Sequence, residues 1–218
     1  MRFTSWAGLT AAALVLAACQ TNDLKEPPVP LGTFQLGVNV AITDNMQVPG
    51  ISRDVTPQQM EAAITKAVAA RFDYPRYEGD RLLNFGIFVD GYLLAPPGIP
   101  LVMSPASVMM VTVNVFDDAT GKKLNEGGTR LTVVEKGSAE TLIGSGLTQT
   151  KEKQLEILAY NVAKRIEGFL LENPSWLGMT EAEAKAALAQ SNGTAKRNAV
   201  PAPLAAADAT IPAPSAAQ

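Results

Sequence analysis

The chain holds 218 residues, 47% of them hydrophobic and 18% charged, enough to build a core and too apolar for a disordered chain. Lys and Arg number 18 against 21 Asp and Glu, a net charge of −3, so no basic excess exists to neutralise a phosphate backbone and nucleic acid is not an expected partner. There is no histidine and only 1 cysteine, which removes Ser-His-Asp and Cys-His catalysis, His or Cys zinc sites and any internal disulfide.

Residues 1–5 carry one basic side chain, Arg2, and residues 6–18 read WAGLTAAALVLAA. A positive start, a short apolar run and small residues at its end are the pattern of a secretory signal peptide over residues 1–18. The run is shorter than the roughly 20 apolar residues a membrane-spanning helix needs. It closes on Leu16-Ala17-Ala18-Cys19, which resembles the lipobox of bacterial lipoproteins. The resemblance implies cleavage before Cys19, a lipid on its sulfur and an acylated amine. Gln20, where Asp would favour retention in the inner membrane, implies by the same resemblance a place in the outer membrane. One acyl chain binds a bilayer marginally and two or more hold firmly, so a lipidated Cys19 is a stable anchor. Removing residues 1–18 removes Arg2, leaving 17 basic against 21 acidic residues. A mildly acidic body adds no attraction to an anionic leaflet, and attachment rests on the lipid.

Residues 19–32 hold Pro27, Pro28 and Pro30 among polar residues and read as a semi-extended tether. A first strand follows, in which Phe34, Leu36, Val38, Val40 and Ile42 alternate with polar or small residues and are expected on one buried face. Thr56-Pro57-Gln58-Gln59 opens a helix with a capping box and proline at its first position. Met60, Ile64, Val68 and Phe72 give it one apolar stripe. Leu83, Phe85, Ile87 and Val89 mark a second strand. Met109, Val111, Val113 and Val115 mark a third, and residues 129–135 a fourth, paired with the third as a hairpin through Asp117-Asp118-Ala119-Thr120-Gly121. The longest helix begins near Thr150, with Leu155, Leu158, Ala159, Val162, Ile166, Phe169 and Leu170 on one face and Asn173-Pro174 as its stop. Trp176 and Leu177 are expected to fold back on the domain. Residues 179–191 form a short Ala-rich helix that buries little, and residues 192–218 an Ala/Pro tail expected to be disordered.

The expected fold is thus α+β in the order β-α-β-β-β-α over residues 33–178, with two helices packed on one face of a four-stranded, mainly antiparallel sheet. Together with the lipobox, VTVNVFDDATGKKL (residues 111–124) and GSGLTQTKEKQLEILAYNVAKRIEGFL (residues 144–170) resemble proteobacterial outer-membrane lipoproteins of unknown-function families. The domain is similar to the periplasmic domain of the curli-secretion-channel type and of lipoproteins that activate peptidoglycan synthases. The chain lacks the long hydrophobic hairpin a channel would need.

Candidate chemistry is sparse. Asp117, Asp118 and Gly121 lack the ordered oxygen ligands of a calcium loop and read as a turn. Gly144-Ser145-Gly146 lacks the P-loop pattern, and no histidine activates Ser145. Asp90, Glu78 and Asp80 would have to converge in space to serve as a carboxylate pair, an arrangement any chain with 21 acids can offer. No catalytic residue, metal ligand or cofactor is assigned. Lys151, Lys153, Lys164 and Arg165 are expected on a solvated helix face. In PPGIPLVMSP (residues 96–105), Ile99, Leu101 and Met103 sit among four prolines without a charge. They are the candidate contacts for a protein partner in the envelope, against the alternative that they tuck under the sheet. The expected function is a non-enzymatic, lipid-anchored, periplasm-facing interaction or assembly module. The alternative is a small-ligand or lipid carrier with a cavity between helices and sheet.

Overall fold

The computed structural model describes residues 23–97, 106–135 and 149–197. Its elements are β1 (Phe34–Ile42), α1 (Pro57–Phe72), β2 (Arg81–Leu93), β3 (Val108–Asp117), β4 (Thr129–Val134), α2 (Lys151–Leu171) and α3 (Glu181–Arg197). Short 3-10 turns lie at Asp23–Lys25 and Pro174–Leu177. The fold is α+β, with three helices and a mixed sheet ordered β1-β2-β3-β4. β1 and β2 are parallel, the arrangement that an intervening helix permits, and the other two pairings are antiparallel.

α1 starts where its sequence signals place it. The Thr56 hydroxyl accepts from the Gln59 amide at 3.2 Å, and the Gln59 side chain accepts from the Thr56 amide at 3.1 Å. Met60, Ile64, Val68 and Phe72 are fully buried. Phe34, Phe72, Tyr77 and Phe85 form an aromatic knot with ring centroids 5.6 to 6.0 Å apart. α1 packs on β1, α2 packs on β3 and β4, and the two helices pack on each other.

The first strand departs from simple alternation. Phe34 and Leu36 are buried, but Val38 and Val40 are 60% and 46% exposed, and Ala41 and Thr43 take the inward positions. The cause is a register shift between Leu36 and Asn39, since one extra residue reverses every side chain beyond it. Asn84 on β2 stabilises the shift. Its Oδ1 accepts from the Val38 amide at 2.6 Å while its Nδ2 donates to Asp118. A side chain at Gly37 would meet that same oxygen at 2.2 Å, so a larger residue there would displace the Asn84 side chain and its bond to Val38.

Three further expectations change. The tether over residues 19–32 is docked on the domain from Asp23 onward: Asp23, Val29 and Leu31 are all buried. Pro27, Pro28 and Pro30 restrict the backbone of this segment, and the apolar Val29 and Leu31 between and after them are what it buries against the core. Its end is sealed by Gly32, where a Cβ would lie 2.1 Å from the Leu177 carbonyl. The carboxy-terminal helix continues to Arg197, past the expected end at 191. It also buries more than expected, with Ala184 and Ala187 each 3% exposed against α2. Leu177 is fully buried, and Trp176 packs edge-on against Phe169 at 5.5 Å.

Candidate functional site

Cys19 and the proposed contacts Ile99, Leu101 and Met103 lie outside the described residues, as do Gly144, Ser145 and Gly146. The roots of the apolar loop are described. Leu94, Ala95 and Ser107 are fully buried, and the Ala95 amide donates to the Ser107 hydroxyl at 3.1 Å. The two described roots of the loop are therefore held to each other inside the domain.

The acidic candidates separate. Asp117 accepts from the amide and hydroxyl of Thr120 at 3.0 and 2.8 Å and pairs with Arg81. Those bonds hold its carboxyl below the usual range. This is a closed turn, completed by Gly121 at φ 65°. Asp90 is engaged by Thr112 and Arg130. Ten residues of nearly continuous strand separate it from Asp80, roughly 30 Å, so Asp90 does not converge with Glu78 and Asp80. Among the described residues no group of three or more His, Cys, Asp or Glu side chains is placed to hold a metal.

What the fold does assemble is a buried ion cluster. Arg71, 1% exposed, lies one position off the apolar stripe of α1. Its guanidinium donates to Asp23 Oδ1 at 2.6 Å and to Glu167 Oε2 at 2.8 Å, and it sits 5.0 Å over the Tyr160 ring. Lys164 Nζ donates to Asp23 Oδ2 at 2.6 Å, and the Tyr160 hydroxyl donates to Asp23 Oδ1. Ser191 on α3 donates to Glu167 Oε1 at 3.2 Å. Two cations thus face two carboxylates, and the cluster is neutral as a whole. Lys164, expected on a solvated face, belongs to it.

Burial alone would raise the Asp23 carboxyl, but its bonds to Arg71, Lys164 and Tyr160 outweigh that and hold it at about 2. Burial also works against the charge on Arg71, and Glu167 and Asp23 reverse the effect and raise it above its ordinary value. Burial first, then the bond to Asp23, pushes Tyr160 up to about 12. Every carboxylate oxygen here accepts a protein donor, so the arrangement is a clamp rather than an acid-base pair. It joins the amino-terminal segment, α1, α2 and α3. Sequence reading missed it. The available signal was Glu167, set between Ile166 and Phe169 inside the buried arc of α2.

Beside the clamp runs a groove of about 510 Å³. α1 and α2 lie side by side in the same direction, with Lys151 bonded to the Asp54 carbonyl at one end and Arg71 to Glu167 near the other. Ala63, Ala67 and Ala70 of α1 face Leu155 and Ala159 of α2 across the trough, and Leu24 lines it next to the clamp.

No protein-family model matches this chain, and no curated protein matches it. Among solved structures it is similar to a Xanthomonas campestris protein of family DUF330, with 10% identity over 63% of this chain and 85% of that chain and a TM-score of 0.34. It is similar to a hypothetical protein of Chlamydia trachomatis, with 11% identity over 64% of this chain and 97% of that one and a TM-score of 0.35. A minor lipoprotein of Acinetobacter baumannii overlaps 58% of this chain and 91% of its own at 16% identity and a TM-score of 0.24. Overlaps this loose assign neither a family nor an activity.

Proposed function

We propose that this chain is a non-enzymatic, lipid-anchored protein of the cell envelope, held in the outer membrane through Cys19 and facing the periplasm. There it binds a protein partner or supports an assembly. The observation that carries the reading is the lone cysteine of the chain, placed directly behind an apolar run and Leu16-Ala17-Ala18. The clamp adds to it. Asp23, four residues on, is fixed inside the domain, so an anchor at Cys19 would hold the body at the membrane surface rather than on a long leash.

The partner surface in this reading is the loop of residues 96–105, with Ile99, Leu101 and Met103 as anchors. Its buried, hydrogen-bonded roots support the role, because a loop held at both ends loses less freedom on binding. The carrier alternative is favoured by the α1–α2 groove, which falls within the size range of small-ligand sites. It runs between two helices rather than between helices and sheet.

Fractionation of native cells tests the anchor. Cys19→Ala is expected to lose lipid and leave the membrane fraction, and a variant that stays with the membranes would remove Cys19 as the anchor. Gln20→Asp is expected to shift the protein from outer to inner membrane. Replacing Ile99, Leu101 and Met103 with Ser is expected to leave the fold intact and reduce partner capture by in-cell crosslinking. Equal capture by a folded variant would remove this loop from the interface.

A further inference from the structure

We propose that the groove between α1 and α2 is the seat of one acyl chain carried by Cys19. The inference rests on the lipid-anchor reading and adds a binding site within this chain for its own modification. Three observations carry it.

The first is how Asp23, a few residues beyond Cys19, is held. Asp23 is held by Arg71, Lys164 and Tyr160, and the next residue, Leu24, lines the groove. Four residue steps separate Cys19 from Asp23, a reach of at most about 14 Å. A lipid on Cys19 is therefore tethered beside this end of the trough and cannot move far from it.

The second is shape. The trough follows α1 from Ala70 back to Gln59, roughly 17 Å at the helical rise. Alanines supply most of the α1 side, at Ala62, Ala63, Ala67 and Ala70. Small side chains at helical spacing leave a narrow, smooth channel that fits an unbranched hydrocarbon and gives a bulky planar ligand little depth.

The third is chemistry. The lining is mainly apolar, with Leu155 and Ala159 buried from the α2 side and Tyr160 at the clamp end, its hydroxyl taken up by Asp23. Charges sit at the rim, where Lys66 and Lys151 are matched by Glu152 and Glu156. Nothing in the floor calls for a polar head, and a mixed-sign rim selects for no ionic ligand. Lysine stems can lie along a hydrocarbon while their ammonium groups stay in water or among headgroups. Seating one chain here leaves the others to hold the bilayer and turns the α1–α2 face toward the lipid.

The test uses the full chain in its own cells. Cells are fed palmitic acid bearing a terminal diazirine and irradiated, and the purified protein is digested and mapped by mass spectrometry. The expected result is label on the Cys19 peptide, with crosslinks from it to peptides of α1 and α2. Ala67→Trp fills the trough and is expected to keep the label and lose those crosslinks. Ala70→Trp, at an exposed helix position, does the same should the first variant fold poorly. Labelled Cys19 with crosslinks only to phospholipid, or to the sheet, overturns the seat and leaves the anchor standing. Crosslinks that survive both tryptophan variants overturn it too. Groove crosslinks that appear only after truncation behind Arg197 would give the trough to the carboxy-terminal tail and overturn the proposal. Unlabelled Cys19 would overturn the anchor reading and the seat together, and the mass of that peptide tells the two failures apart.

Discussion

Asp23 is 7% exposed, and it accepts three side-chain donors drawn from two helices. Two charges removed from water gain little over an apolar pair, but breaking one partner leaves the other stranded. Arg71→Met would set Asp23 and Glu167 in the interior with Lys164 as their remaining cation. The expected cost is about 3–5 kcal/mol in urea unfolding. Arg71→Lys should rescue little, since a point charge cannot fork to two carboxylates. The pH dependence has a definite sign. The folded carboxyl of Asp23 sits at about 2 against an ordinary 3.8, so its contribution is complete above pH 4 and is lost as pH falls through 2. Protonation should remove about 2 kcal/mol across that window. Asp23→Asn should flatten this part of the stability profile, and an unchanged acid limb would show that another carboxylate sets it. None of this was legible locally. Asp23 stands among polar residues and prolines, and its partners Arg71 and Lys164 lie 48 and 141 residues away.

Elements whose apolar residues follow one period were readable, and elements that change period were not. α1 has a cap and a stripe at strict i+4 spacing, and both appear as expected. In α2 the buried face includes Leu155, Leu158, Val162, Ile166, Phe169 and Leu170, all assigned inward from the sequence. β1 also shows an unbroken alternation in sequence, yet it changes face at the bulge beside Gly37. The bulge depends on Asn84, a residue of the neighbouring strand, and no pattern within β1 reports it. The two halves of the strand should therefore respond differently to mutation. Leu36→Ala removes a side chain from the core and should cost about 2–5 kcal/mol. Val38→Ser and Val40→Ser act on exposed positions and should change stability by less than about 0.5 kcal/mol. Equal losses in thermal or urea unfolding would restore the uninterrupted strand. Asn84→Ala removes a solvent-exposed bond to the Val38 amide and should cost about 0.5–1.5 kcal/mol, between the two halves of the strand.

At the scale of the whole molecule, the parts outside the predicted domain of residues 33–178 help to close it. The two ends of that domain are joined directly, since the Thr33 amide donates to the Leu177 carbonyl at 3.0 Å and ties the start of β1 to the turn after α2. The Ser191 hydroxyl reaches Glu167, which holds Arg71, which holds Asp23. A composition argument sees an alanine-rich segment with little to bury. The structure uses the small size of Ala184 and Ala187 to bring α3 close enough to α2 for Ser191 to reach a buried carboxylate. Two truncations separate these views. Ending the chain after Arg197 keeps all of α3 and removes an Ala/Pro tract with few large apolar residues, so the melting temperature should barely move. Ending it after Gln190 removes Ser191 and leaves Glu167 Oε1 short of a donor in a buried site. That loss should cost about 1–3 kcal/mol. For a protein of this size the melting temperature should then fall by several degrees, at roughly 2–4 °C per kcal/mol. Ser191→Ala in the full chain should reproduce most of the drop, because it removes the same hydrogen bond and leaves the helix in place. If truncation after Gln190 leaves the melting temperature unchanged, α3 lies on the domain without contributing to the clamp. If both truncations lower it equally, residues 198–218 contribute to stability as well.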